Sequence, residues 1–138
     1  MKSALEGATY VIHSAMIVPL IEPKDPEPVV RTAVDGTLNM LKACKANGVK
    51  RMTMTSSIAA IMNVPFDEAP DIFTEENWTV VTDDSTAYDK GKTCAERAAW
   101  DYVNAMAEED RIELTMINPG MMFGPTEVDP GFAIGLFM

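Results

Sequence analysis

The chain has 138 residues, enough for one domain with its own core, and 47% of them are hydrophobic, which sets disorder aside. A formal net charge of -10 leaves no basic stripe for phosphate neutralisation, so nucleic acid is not an expected partner. No apolar run approaches a membrane span, no secretory leader opens the chain, and the single histidine, His13, excludes a multi-histidine metal site; a cytoplasmic protein with no membrane or metal partner is expected.

Residues 8–15, ATYVIHSA, read as a short buried strand, because Tyr10, Val11 and Ile12 form a β-favouring apolar run that ends in small polar residues. Pro19, Pro23, Pro26 and Pro28 then crowd one connection and argue against a helix there. Over residues 29–47 the period becomes helical, with Val30, Ala33, Val34, Leu38, Leu41 and Cys44 on one face and Asn47-Gly48 as the stop. Residues 49–57, VKRMTMTSS, give a second strand. Lys50 and Arg51 lie at its entrance and the hydroxyls of Thr55, Ser56 and Ser57 at its exit.

Residues 58–86 read as a long irregular connection, with Pro65, Pro70 and an acidic patch before Trp78. Connections of this length are usually functional or mobile. A second helix is expected over residues 86–107, its apolar stripe formed by Ala95, Ala98, Ala99, Tyr102, Val103 and Met106. Residues 114–118, LTMIN, are the third strand, followed by Asn118-Pro119-Gly120 and a further break at Gly124-Pro125. The apolar residues 131–138 close the sequence. Cys44 and Cys94 fall in different predicted helices and read as free thiols of a reducing compartment. The 11 methionines read as adaptable core filler.

Strand, helix, strand, helix, strand, with connections long enough for parallel crossovers, is the pattern of an α/β doubly wound sheet. In such sheets ligands bind beyond the carboxyl ends of the strands. Three such ends carry small or hydroxylic residues: His13-Ser14-Ala15, Thr55-Ser56-Ser57 and Asn118-Pro119-Gly120. The N-terminal end of the second crossover helix faces the same rim, and there Tyr88 and Lys92 stand four residues apart, on one helical face. An ammonium beside a phenol favours phenolate, so the pair can give or take a proton.

Bland readings exist for the parts. His13 reads as a strand-end core histidine rather than a catalyst, Ser56 and Ser57 alone read as turn residues, Trp78 as packing, and Glu96 and Arg97 as solvated helix charges. A Ser-His-Asp hydrolase is a poor fit, since there is no G-x-S-x-G elbow.

With these residues in view, the chain resembles the extended short-chain dehydrogenase/reductase family, in particular its dihydroflavonol reductase and cinnamoyl-CoA reductase branch. The resemblance rests on VIHSA, on VDGTLNMLKACKANGVKRMTMTSSIAA, on FTEENWT, on YDKGKTCAERAAW and on LTMINPGMMFGP. It implies an NAD(P)H-dependent oxidoreductase that reduces a small-molecule ketone or aldehyde, with NADP the expected cofactor and NAD possible. Tyr88 would protonate the carbonyl oxygen, Lys92 would hold the nicotinamide ribose hydroxyls, and Ser57, with Ser56 as neighbour, would hydrogen-bond the substrate oxygen. Asn118, Pro119 and Gly120 would lie along the nicotinamide carboxamide, and Ser14 and Ala15 would touch the ribose-phosphate side of the cofactor. A sugar-nucleotide epimerase or dehydratase, or a hydroxysteroid dehydrogenase, shares the same machinery, and a non-catalytic fragment or scaffold is the third class. Nothing in the pattern points to an oligomeric state.

The sequence departs from the family in two respects. Gly91 precedes the lysine where serine is common, and no glycine-rich dinucleotide turn occurs anywhere in the chain. The resemblance therefore implies a single partial Rossmann-like domain over residues 1–138, truncated at both ends. It would hold strands 4 to 6 with their crossover helices, and the start of the substrate lobe from about residue 125. The first strand would then be an exposed edge, and the isolated chain would bind dinucleotide poorly.

Overall fold

The computed structural model describes residues 2–122. The Gly124-Pro125 break, the apolar residues 131–138 and the expected start of a substrate lobe lie outside the described residues. Five main elements follow one another: strand β1 (Tyr10–His13), helix α1 (Glu27–Ala46), strand β2 (Arg51–Thr55), helix α2 (Ala87–Asn104) and strand β3 (Glu113–Ile117). The strands form one parallel sheet in the order β1-β2-β3, with Ile12 opposite Thr53 and Thr53 opposite Thr115. This is the expected α/β, Rossmann-like arrangement of strands joined by crossover helices.

The first two strands are shorter than the runs read for them, because only residues with a ladder partner are held, while the third keeps its five residues at Glu113–Ile117. The 8–15 run thus contributes four residues, Tyr10–His13. The first helix corrects the sequence reading in the other direction. It begins at Glu27, so Pro28 lies inside its first turn. A proline there removes an N–H that has no intrahelical partner anyway, and its fixed φ suits the helix. Asp25 adds a carboxylate that accepts from the Glu27 N–H at 3.0 Å. The stop at Asn47-Gly48 is as expected. Gly48 takes φ +68, its N–H donates to the Lys45 carbonyl, and the Val49 N–H donates to the Cys44 carbonyl. Two otherwise orphaned carbonyls are satisfied in this way.

Helix α2 ends at Asn104, three residues before the expected boundary, and Glu108–Asp110 forms a short 3-10 turn leading into β3. At its start the Thr86 hydroxyl accepts from the Asp89 N–H at 3.1 Å. Glu22, from the connection after β1, accepts from the Ala87 N–H at 2.6 Å. Two of the helix's four free N–H groups are therefore capped by side chains, one of them from 65 residues away.

Alternation decides which sheet face is buried. Met52 and Met54 point into a core with Leu41, Cys44, Ala95, Ala99, Val103 and Ile112, while Arg51 on the same strand is exposed. Both helices cover this face, and alanines at 95 and 99 on α2 permit a close helix contact. Burying Leu41 or Met52 contributes about 1.5–3 kcal/mol each, and truncating either to alanine costs about 2–5 kcal/mol. On the opposite face Tyr10, Ile12 and Ile117 stay exposed among the described residues.

The connection from β2 to α2 is less irregular than its composition suggests. Two short 3-10 turns, Ile58–Ala60 and Phe66–Glu68, punctuate it. Thr79 is fully buried; its hydroxyl donates to the Ala59 carbonyl at 2.7 Å and accepts from the Asn63 N–H at 3.0 Å. With the main-chain bonds from the Thr79 N–H to the Ala60 carbonyl and from the Val80 N–H to the Asn63 carbonyl, it folds the loop back onto its own beginning.

Candidate active site

The rim at the carboxyl ends of the strands is held together by main-chain bonds that outlast the strands. The Ser56 N–H donates to the Ile117 carbonyl at 2.8 Å, and the Ile58 N–H donates to the Pro119 carbonyl at 3.1 Å. Ser57 is extended, at φ -165, and its Oγ accepts from the Ala59 N–H at 3.1 Å, capping the 3-10 turn. Its own hydroxyl proton is not needed for that cap.

Lys92 projects from α2 into the same region and is 5% exposed. Its ammonium donates to the Thr55 carbonyl at 2.9 Å, where β2 ends. It also lies 5.8 Å from the centroid of the Tyr88 ring, near enough for a cation–π attraction. Burial lowers the lysine's pKa from its ordinary value, and the nearby Glu96 carboxylate partly offsets that shift. His13, at the end of β1, is held below the ordinary imidazole value by burial and then by the Lys92 charge.

Ser56, Ser57, Tyr88, Lys92, Pro119 and Gly120 line one cleft of 410 Å³, with Ile58, Met121 and Met122 as its apolar part. Asn118 does not line it. Its side-chain amide turns away, donating to the Ser57 carbonyl at 3.2 Å and to Glu96 Oε2 at 2.9 Å. A second, more apolar cavity of 500 Å³ lies on the other side of Lys92 and Thr55, lined by His13, Ala15, Met16 and the α1 face from Thr32 to Met40. Ala15 lies there. Ser14 is exposed and lines neither cavity. The smaller cleft is the candidate active site, since it alone holds the phenol, the ammonium and the serine hydroxyls.

Two features of the cleft fit a ligand rich in hydroxyls, such as a nucleotide ribose. The Ser56 hydroxyl is buried without a hydrogen-bond partner among the described residues. Lys92 uses one of its three N–H donors on Thr55. An unsatisfied buried hydroxyl costs free energy that a polar ligand reaching it would relieve. Among the described residues no cluster of His, Cys, Asp or Glu could hold a metal ion, and no helix is long and apolar enough to cross a membrane.

Two bland readings are corrected. Glu96 is 4% exposed and hydrogen-bonded, so it is not a solvated helix charge. Its position carried a signal: Tyr88, Lys92 and Glu96 recur every four residues and share one helix face. Arg97 is exposed, but it lies 5.1 Å from the centroid of the Trp78 ring and donates to the Thr79 carbonyl at 3.2 Å. Gly91 also has a packing reason. A Cβ there would come within 2.7 Å of the Met16 methyl, the flexible end of a side chain from the connection after β1 that packs against α2.

The sequence model of the 3-beta hydroxysteroid dehydrogenase/isomerase family matches residues 1–130. The chain is 36% identical to cinnamoyl-CoA reductase CAD2 of Medicago truncatula, over 89% of this chain and 38% of that protein. It is 35% identical to an anthocyanidin reductase ((2S)-flavan-3-ol-forming) of Vitis vinifera, over 99% of this chain and 42% of that protein. Its fold is similar to that of yeast methylglyoxal/isovaleraldehyde reductase Gre2 complexed with NADPH. The TM-score is 0.74 at 28% identity, covering 92% of this chain and 40% of that one. The chain thus spans about two-fifths of the length of the relatives it matches.

Proposed function

The chain belongs to the 3-beta hydroxysteroid dehydrogenase/isomerase family, and we propose that the full-length protein is an NADPH-dependent reductase of a small ketone or aldehyde. The observation that carries this reading is the meeting of Tyr88, Lys92 and Ser57 in one cleft, although they come from different parts of the chain. The similarity to plant reductases, and to a yeast reductase complexed with NADPH, supports reduction as the reaction and NADP as the cofactor. The two free thiols agree with a reducing, cytosolic setting.

When bound, the cofactor supplies a hydride to the carbonyl carbon. The protein handles the other half of the reaction. Tyr88 gives its hydroxyl proton to the carbonyl oxygen as negative charge builds there, so that C=O becomes CH–OH. Ser57 donates its free hydroxyl proton in a hydrogen bond to the same oxygen and holds the carbonyl in place. Lys92, fixed by the Thr55 carbonyl, stabilises the phenolate that remains and offers its other donors to ribose hydroxyls. Ser56 would contribute its unpartnered hydroxyl, and Pro119 and Gly120, which line the cleft, would form a wall for the nicotinamide. Ala15 bounds the neighbouring cavity on the ribose-phosphate side, with Ser14 beside it.

The same groups run in reverse oxidise a hydroxysteroid, and the family to which the chain belongs favours including that reading in the test. Purified full-length protein is incubated with NADPH and, in separate assays, isovaleraldehyde, methylglyoxal and a 3-ketosteroid. Substrate-dependent loss of nicotinamide absorbance with at least one carbonyl is expected. NADPH consumption with none of them would overturn the proposal.

A further inference from the structure

The buried carboxylate of Glu96 is not used by the proton-transfer chemistry, and it does not line the active-site cleft. A carboxylate so deeply buried is retained only where its hydrogen bonds are made. Here the partner is the Asn118 side-chain amide, at 2.9 Å. That amide has two N–H donors, and the same nitrogen also reaches the Ser57 carbonyl at 3.2 Å.

One nitrogen therefore joins three separate segments. Glu96 belongs to α2, one turn beyond Lys92; Ser57 follows β2; Asn118 follows β3. Each segment brings a different part of the cleft: Tyr88 and Lys92, then Ser57, then Pro119 and Gly120. The main-chain bonds at Ser56 and Ile58 tie the ends of β2 and β3 to each other, but neither reaches the helix. The Lys92 ammonium ties α2 to the Thr55 carbonyl at the end of β2, and the Glu96–Asn118 contact adds a second tie, from α2 to the segment after β3.

We propose that Glu96 is a positioning residue that acts through the Asn118 amide to fix Ser57 relative to Tyr88 and Lys92. Its catalytic consequence rests on the reductase reading above; the positioning itself does not. Misplacing a catalytic group by a fraction of an ångström to one ångström is costly in rate while leaving ligand affinity nearly intact.

The test compares full-length wild type with Glu96→Ala, which removes the acceptor, and Glu96→Gln, which keeps an acceptor oxygen but not the charge. Amide hydrogen exchange over residues 57–60 is measured without ligand, and turnover is measured with NADPH and isovaleraldehyde. In Glu96→Ala, exchange should rise and kcat should fall, each by about tenfold or more, with KM for NADPH within about twofold. Glu96→Gln should recover most of both losses. Should Glu96→Ala not fold, Asn118→Asp, which presents an acceptor where a donor is needed, should show the same pair of changes. Wild-type exchange and kcat in the folded variants would overturn the proposal, as would a Glu96→Gln protein as impaired as Glu96→Ala. Faster exchange in Glu96→Ala, with no turnover by wild type of any of the carbonyls assayed above, would sink the reductase reading and support the positioning role.

Discussion

Lys92 shows how a single residue is made useful here by competing terms. Burial lowers its pKa, while the Glu96 carboxylate, the Thr55 carbonyl and the Tyr88 ring all favour the ammonium. The cation is thereby held 5.8 Å from the centroid of the Tyr88 ring, where the proposed reaction would leave a phenolate. The same charge acts on His13. In the folded protein its imidazole is held below the ordinary value of 6.5 by burial and by Lys92, so as pH falls the unfolded chain takes up that proton first. The stability tied to His13 is therefore present above pH 6.5 and declines as pH falls through the window beneath it. Thermal denaturation between about pH 7.5 and about pH 5.5 should show a shallower decline for His13→Asn than for wild type. Parallel curves would contradict this. At this scale the tyrosine and lysine were legible from their spacing, and the same spacing puts Glu96 on their face, but the partner of Glu96 was not legible, because it is an amide 22 residues away.

At the scale of elements, α2 is anchored at the end that carries Tyr88. Thr86 caps it locally and Glu22 caps it from the connection after β1. Removing the local cap with Thr86→Ala should cost about 1 kcal/mol in urea denaturation. An unchanged midpoint would show that Glu22 compensates. The loop between β2 and α2 is closed by two main-chain bonds and by the Thr79 hydroxyl. Thr79→Val keeps the shape but leaves the Ala59 carbonyl and the Asn63 N–H unpaired, which should cost about 1–3 kcal/mol. Proteolysis within residues 61–78 should then be faster than in wild type; equal rates would argue against the threonine as the loop's organiser. The composition of residues 58–86 suggested an irregular connection because its prolines and acids dominate the pattern. One threonine among many carries no periodic signal. Pro28 misled for a related reason, since a proline that ends a helix in its interior is at home in a first turn.

Over the whole molecule, the order of strands and helices was legible because the hydrophobic period switches cleanly between two residues and about three and a half. The parallel sheet β1-β2-β3 follows from that order and from the length of the crossovers. The sheet in turn brings Ser57, Tyr88 and Lys92 to one rim, as its carboxyl ends require. The orientation of Asn118 was not legible. Its neighbours Pro119 and Gly120 line the cleft, whereas its own amide turns inward to join strands and helix. The account as a whole stands on Tyr88 as the proton donor to a carbonyl. The most direct measurement follows deuterium from nicotinamide-deuterated NADPH into the product of isovaleraldehyde, in full-length wild type and in Tyr88→Phe. The account predicts deuterium on the alcohol carbon in wild type. It also predicts a rate about 10²–10⁴-fold lower in Tyr88→Phe, with NADPH affinity within about twofold of wild type. Equal rates of transfer in the two proteins would contradict it.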